Sequence, residues 1–280
     1  MHRFTTPVPP RLNIDIRAGI VAIDTADVTE TTVDLRPRHD SANAREVIAA
    51  STVEQRGDEI VVRVPRRHGS LFGRAAEIAV TIVTPTGTAL AIETASADVI
   101  ATGQFATTTL ASGSGDVEIG EITDALRIRS GSGDVRVRSV AGDLDAQTGS
   151  GDVRIDALGG AGSVQSGSGD IALGECGRAV RVKTGSGDVT VGKAPDDLKV
   201  NTASGDIRID AIERGDVSAK AASGDIRAGV RHGTAAWLDV RSIAGRITSG
   251  LERADEPAAG EQKARLELET VSGDIELLRV

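Results

Sequence analysis

Through the middle of the chain, apolar residues fall on alternate positions in short runs that return at a fixed spacing. Val117, Val135, Val153, Ile171, Val189, Ile207, Ile226 and Ile275 form one column. Ile119, Val137, Ile155, Leu173, Val191 and Ile209 form another, two positions later. Between them stand Glu118, Arg136, Arg154, Ala172, Thr190 and Arg208. Alternation with period two, and β-branched residues on one side, predicts strands buried on one face. A second alternating run follows in each unit: Leu126-x-Ile128-x-Ser130, Leu144-x-Ala146-x-Thr148, Val180-x-Val182-x-Thr184 and Leu198-x-Val200-x-Thr202. Each unit therefore has two short strands and two turns, and helical spacing fits nowhere in this region.

A Ser-Gly-Asp step marks the period. Asp116, Asp134, Asp152, Asp170, Asp188 and Asp206 follow one another every 18 residues. The series runs on to Asp225 with one extra residue, to an Ala-Gly-Arg corner at Arg246, and to Asp274; it runs back to Asp98. A fixed period near 20 residues means a stacked repeat. The predicted fold class is all-β: a single parallel β-solenoid with two-stranded coils of 18 residues. Successive coils would lie ~4.8 Å apart and the two sheets ~10 Å apart. At the corner, glycine supplies a positive φ or permits close backbone approach, while Ser and Asp side chains bond the turn's own backbone.

Before residue 89 the period is lost, but Leu12-x-Ile14-x-Ile16, Ile60-x-Val62-x-Val64 and Ile78-x-Val80-x-Ile82 still alternate as strands. Gly57-Asp58 suits a hairpin turn between Thr52–Arg56 and Glu59–Val64. A solenoid needs an atypical unit over its open end. Residues 1–88 are thus predicted to be a β-rich cap, and 89–280 the solenoid, in one continuous domain. Leu251–Lys263 breaks the series and is expected to be a surface loop.

The SGSGDV-x-V units, the strand-rich start with VEQRGDEIVVRVP, and the closing SGDIEL resemble the bacterial "putative adhesin" β-strand repeat family, also called toastrack domains. The resemblance covers essentially the whole chain. It implies a β-solenoid, a link to adhesion and to cell-envelope stress sensing, and no catalytic residues. Many relatives carry an adjoining membrane anchor or export signal, and this chain shows neither.

Composition narrows the functional classes. Aromatic residues make up 1% of the chain, too few for stacking platforms, and the net charge of −9 argues against nucleic acid. The start, MHRFTTPVPPRLNID, has no apolar core of a secretory signal, and no stretch is long enough to span a membrane. A cytoplasmic protein without direct membrane insertion is expected. Cys176 is the single cysteine and falls in the column of Ile122, Val140, Leu158 and Ile212, as a buried filler. His2, His39, His68 and His232 are scattered, and no GxSxG, GxGxxG or P-loop spacing occurs. No catalytic residue, cofactor or metal follows from these residues, so the protein is not expected to be an enzyme. Trp237, the only indole, is expected to pack at an irregular coil. Arg56-Gly57-Asp58 and Arg214-Gly215-Asp216 match a tripeptide read by adhesion receptors, but both fall where turns are already required.

The expected role is a scaffold or protein-interaction module with an unidentified protein partner. One alternative is a surface adhesin or envelope-stress component tethered through another protein. The other is a calcium-stabilised β-roll, in which Asp116, Asp134, Asp152, Asp170, Asp188 and Asp206 form the ladder of ligands. Calcium rolls share the 18-residue coil, but their aspartates are spaced differently and calcium wants six to eight oxygens. The candidate partner face is the outward side of the second strand, with Arg127, Arg129, Arg181, Lys183, Lys199 and Lys220. The last strand, Asp274–Val280, is expected to end the stack uncapped and to invite end-to-end homo-oligomers. Stacked aspartates repel by ~0.9 kcal/mol per neighbour even in bulk water. Arg136, Arg154, Arg208 and Arg227 are positioned to offset this, with backbone N–H groups serving Asp116, Asp170 and Asp188.

Overall fold

The computed structural model describes residues 1–65, 76–194, 197–252 and 262–280. The chain is all-β, with parallel β-solenoid coils, and forms two compact units, Met1–Val140 and Ala141–Val280.

The N-terminal unit contains β1 (His2–Thr5), β2 (Arg11–Ala26), β3 (Glu30–Pro37), the helix α1 (Ala42–Ala49), β4 (Thr52–Arg56), β5 (Glu59–Arg63), β6 (Ile78–Pro85), β7 (Thr88–Ser112), β8 (Val117–Ile122), β9 (Leu126–Ser132) and β10 (Val135–Val140). Chain order and spatial order differ here. β2 pairs in parallel with β5 and β6 on one side, Leu12 opposite Ile60 and Val21 opposite Val80. On the other side it pairs with β7, Leu12 opposite Leu90 and Val21 opposite Val99. Parallel coil stacking thus starts at β5/β6, passes through β2, and continues from β7 to β8, β9 and β10. The β5/β6 coil is covered in turn. β4 pairs antiparallel with β5 across the hairpin the sequence predicts, Arg56 opposite Glu59. β3 pairs antiparallel with β6, and β1 with β3. The helix is not visible in the strand pattern; it starts where the Ser41 hydroxyl accepts the Ala44 N–H at 3.1 Å, an N-cap.

The C-terminal unit repeats one coil plan: β11 (Leu144–Ser150) with β12 (Val153–Leu158), β13 (Gly162–Ser168) with β14 (Ile171–Cys176), β15 (Val180–Ser186) with β16 (Val189–Ala194), and β17 (Leu198–Ser204) with β18 (Ile207–Ile212). There follow β19 (Gly215–Ser223) with β20 (Ile226–Val230), β21 (Thr234–Ala244) with β22 (Ile247–Ser249), and β23 (Gln262–Ser272) with β24 (Ile275–Arg279). Pairing is parallel and in register: Val153, Ile171, Val189, Ile207 and Ile226 face one another in sequence. Each is at most 2% exposed, so each contributes roughly the 1.5–3 kcal/mol of a buried aliphatic side chain.

The last coils leave chain order. β23 pairs with β19 on one side and with β21 on the other; β24 lies likewise between β20 and β22. This overturns the expectation that Asp274–Val280 is the uncapped strand. Ile275–Leu277 are paired on both sides, and among the described residues β21/β22 ends the stack.

Candidate functional site

The Ser-Gly-Asp corner is where the sequence concentrates its repeated chemistry. Gly187 shows why glycine recurs there: its φ is +129°, and a Cβ would lie 2.2 Å from the Gly169 carbonyl oxygen of the preceding coil. The aspartate that follows bonds to the next coil through its side chain. Asp98 Oδ1 accepts the Asp116 N–H at 3.1 Å, and Asp116 Oδ1 accepts that of Asp134 at 2.9 Å. In the C-terminal unit, Asp152, Asp170, Asp188, Asp206 and Asp225 accept in the same way from Asp170, Asp188, Asp206, Asp225 and Asp274, at 2.7–2.9 Å. The aspartate carbonyls complete the tie, accepting at Asp170 and Asp188 from Val153 and Ile171 of the preceding coil at 2.9 Å. On the inner side, Thr184 and Thr202 hydroxyls close the turn on the carbonyls of Ser186 and Ser204.

The arginine offset is realised at one position of four. Arg136 reaches Asp134 at 2.9 Å. Arg154 turns instead to Asp156 at 3.0 Å, Arg208 to Asp210 at 2.6 Å, and Arg227 to Glu276 at 2.7 Å. The reason is strand geometry. Residues two apart on one strand share a face, and the carboxylates along the strand or on the neighbouring strand compete with the corner aspartate behind. Backbone N–H donation is what the ladder has in common.

A second ladder, not foreseen, runs along the other corner. Asp143 Oδ1 accepts the Ala161 N–H at 2.9 Å, and Asp197 Oδ1 that of Asp216 at 3.0 Å. Its sequence signal is the aspartate just before the second strand, as in Gly142-Asp143-Leu144 and Asp197-Leu198. Among the described residues, no group of three or more His, Cys, Asp or Glu is gathered as a metal site.

The predicted partner-face residues divide between the units. Arg127 and Arg129 are exposed on β9 of the N-terminal unit. On the C-terminal unit, Arg181 and Lys183 of β15 and Lys199 of β17 are exposed in adjoining rows, beside Ser163, Gln165 and Asn201. Lys220, on β19, is held by carboxylates of β23. Its ammonium bonds Glu267 at 2.6 Å and Glu269 at 3.2 Å, and these bonds raise its pKa and lower that of Glu267.

Trp237 is not packed inside. It stands outward on β21, 55% exposed, with the Arg265 guanidinium 4.5 Å from its ring centroid. Cys176 is buried opposite Leu158, and burial pushes its thiol up to about 11. Arg56-Gly57-Asp58 forms the β4–β5 turn, and Arg214-Gly215-Asp216 the entry to β19, where the Asp216 N–H is held by Asp197. His68 and most of the Leu251–Lys263 stretch lie outside the described residues.

A comparison with curated proteins finds no match. Similar solved structures include a "putative adhesin" from Bacteroides fragilis NCTC 9343, 10% identical over 99% of this chain and 95% of that one, with a TM-score of 0.37. A "putative lipid binding protein" from Parabacteroides distasonis ATCC 8503 is 12% identical over 100% and 95%, with a TM-score of 0.37. A "putative cell adhesion protein" from Clostridium sporogenes ATCC 15579 is 9% identical over 100% and 99%, with a TM-score of 0.25. The profile of the family described as Toastrack DUF4097 matches residues 11–194 and 177–278, and with its stacked Ser-Gly-Asp coils the chain belongs to that family.

Proposed function

We propose that this protein is a non-enzymatic scaffold that works by presenting its outward strand faces to a protein partner. One observation carries the reading. The repeated polar groups of the corner, which would be the natural place for chemistry, are occupied in tying each coil to the next. The groups left to meet a partner are the outward rows, and the exposed Arg181, Lys183 and Lys199 offer a compact basic-polar patch on the C-terminal unit. A partner with an acidic surface suits that patch, with binding that weakens as salt rises. The test replaces Arg181 and Lys183 by Glu in one variant. Loss of partner capture with an unchanged melting temperature supports the reading; undiminished capture refutes the patch. The proposal places the chain in the cytoplasm. Cell fractionation that finds it on the surface would favour the adhesin or envelope-stress role instead.

A further inference from the structure

Strand β21 carries the inference. Its one paired neighbour among the described residues is β23. The Gly233 carbonyl, just before β21, accepts the Gln262 N–H of β23, so the odd-numbered residues of β21 face β23 as far as Arg241, and the parity reverses only at the corner, where the Ala244 carbonyl accepts the Gly273 N–H. By the alternation of a strand, Ala236, Leu238, Val240 and Ser242 turn their N–H and C=O groups to the open edge. The side chains of Trp237, Asp239, Arg241 and Ile243 share the outward face. Ile243 is 79% exposed and Trp237 55%, and Val271 of β23, beside Ile243, is 48% exposed. Large apolar side chains on a free strand edge are what a monomeric solenoid avoids.

The order of these residues is self-complementary. If a second β21 is laid antiparallel so that Val240 faces its own copy, Asp239 falls opposite Arg241 and Arg241 opposite Asp239. Trp237 falls opposite Ile243, next to Val271, and the same cluster forms again on the other side of the twofold axis. The pairing parity also agrees, because Val240 opposes its own copy and Leu238 opposes Ser242, edge-facing residues that can exchange both backbone hydrogen bonds. In the single chain the Asp239 and Arg241 side chains pair with each other at 3.2 Å, so the edge carries no net charge to repel a copy. We propose that β21 is a homodimer interface, in which two copies of this chain join edge to edge about a twofold axis through Val240.

The experiment is sedimentation velocity on the full chain from low micromolar concentration to its solubility limit, with four variants. The wild type is expected to pass reversibly from monomer to dimer and to go no further, since a twofold interface closes on itself. Arg241→Asp sets like charges opposite each other twice and should weaken the dimer about tenfold. Adding Asp239→Arg to Arg241→Asp exchanges the charges and should restore it. Leu238→Pro removes an edge-facing N–H without removing a bond to β23 and should abolish dimerisation in a folded chain. Val240→Cys should form a disulfide-linked dimer on oxidation, because facing residues at such a position lie about 5.5 Å apart, within disulfide reach; Cys176 is buried and does not compete. A monomer at every concentration overturns the proposal. So do oligomers that grow beyond two, a dimer indifferent to both Arg241→Asp and Leu238→Pro, or failure of Val240→Cys to cross-link.

Discussion

The coils β5/β6 and β21/β22 hold equivalent places, each the last in its unit's stack and each added outside a strand that comes earlier or later in the chain. They are finished in opposite ways. Over β5/β6 the chain lays β4, β3 and β1 antiparallel, and even Val61, between the buried Ile60 and Val62, is 1% exposed. A chain of buried hydroxyls runs from Thr6 through Thr31 and Thr84 to Thr88, with steps of 2.9–3.1 Å, and ends on the Pro85 carbonyl. Over β21/β22 no described strand is laid. Its inward Leu238 and Val240 are half-buried, and Ile247, in the column of the buried Ile275, is 46% exposed. The lesson is that a solenoid's repeated core does not by itself fix its end. An end is closed by a separate, non-repeating sequence, or it is left as a surface with something to do.

The sharpest break in that comparison comes from glycine. Gly19, at the bend of β2, has φ +125°, and a Cβ there would lie 2.0 Å from the Ile78 carbonyl oxygen of the covered coil. Gly233, at the entry to β21, has φ +81° with open space around it. Gly19→Ala should cost about 3 kcal/mol or more, from strain and overpacking together, and Gly233→Ala about 1 kcal/mol from strain alone. Denaturant midpoints of the two variants check this; equal losses would mean that the two coils are equally constrained.

Next in size is side-chain truncation. Ile82 on β6 is 0% exposed, so Ile82→Ala should cost roughly 2–5 kcal/mol. Ile247→Ala, on the half-open coil, should cost less than about 1 kcal/mol, because little area is buried there to lose. The hydroxyl chain gives a further, smaller test. Thr31→Val removes its second member and leaves the buried Thr6 hydroxyl without this partner, at a cost of about 1–3 kcal/mol. Hydrogen exchange should localise that loss to the N-terminal unit.

The contrast also explains which parts of the fold could be read in the sequence. Wherever coils stack in chain order, the column from Val117 to Ile226 dictates strand, register and buried face at once, since a slip of one residue would expose every core side chain. Chain order itself was not legible at either end. Nothing local to Ile275 says that its coil lies between the coils of Ile226 and Ile247, because all three satisfy the same column. The helix at Ala42–Ala49 was hidden for a related reason: one turn or two of helix leaves too short a periodic signal, and its start depends on the Ser41 cap. At the candidate site, the corner's geometry was legible from glycine and aspartate types. The choice of partner for Arg154 and Lys220 was not, because it depends on which of several carboxylates is nearest in space.

The smallest expected effects sharpen the comparison along the aspartate ladder itself. Within the stack, Asp170 works twice: its N–H donates to Asp152 Oδ1, and its own Oδ1 accepts the Asp188 N–H at 2.8 Å. At the open coil the ladder stops at Arg246, whose N–H donates to Asp274 Oδ1 at 2.7 Å, while its side chain has no carboxylate to accept the next bond. Asp170→Ala keeps the donated bond and loses the accepted one, so it should cost ~1 kcal/mol, the scale of a lost cap. Arg246→Ala keeps everything Arg246 gives to the ladder and should change the melting temperature little. Asp170→Asn retains an accepting oxygen and removes one charge from a column that repels by ~0.9 kcal/mol per neighbour even in bulk water, so it should be neutral or slightly stabilising. A ladder built to hold calcium would respond the other way. The Asn variant would then lose stability, and millimolar calcium would raise the melting temperature of the wild type but not of the variant. Thermal melts of the three variants with and without calcium separate the two: a loss at Asp170→Asn that depends on calcium would mean that the carboxylates serve an ion and not the backbone of the next coil.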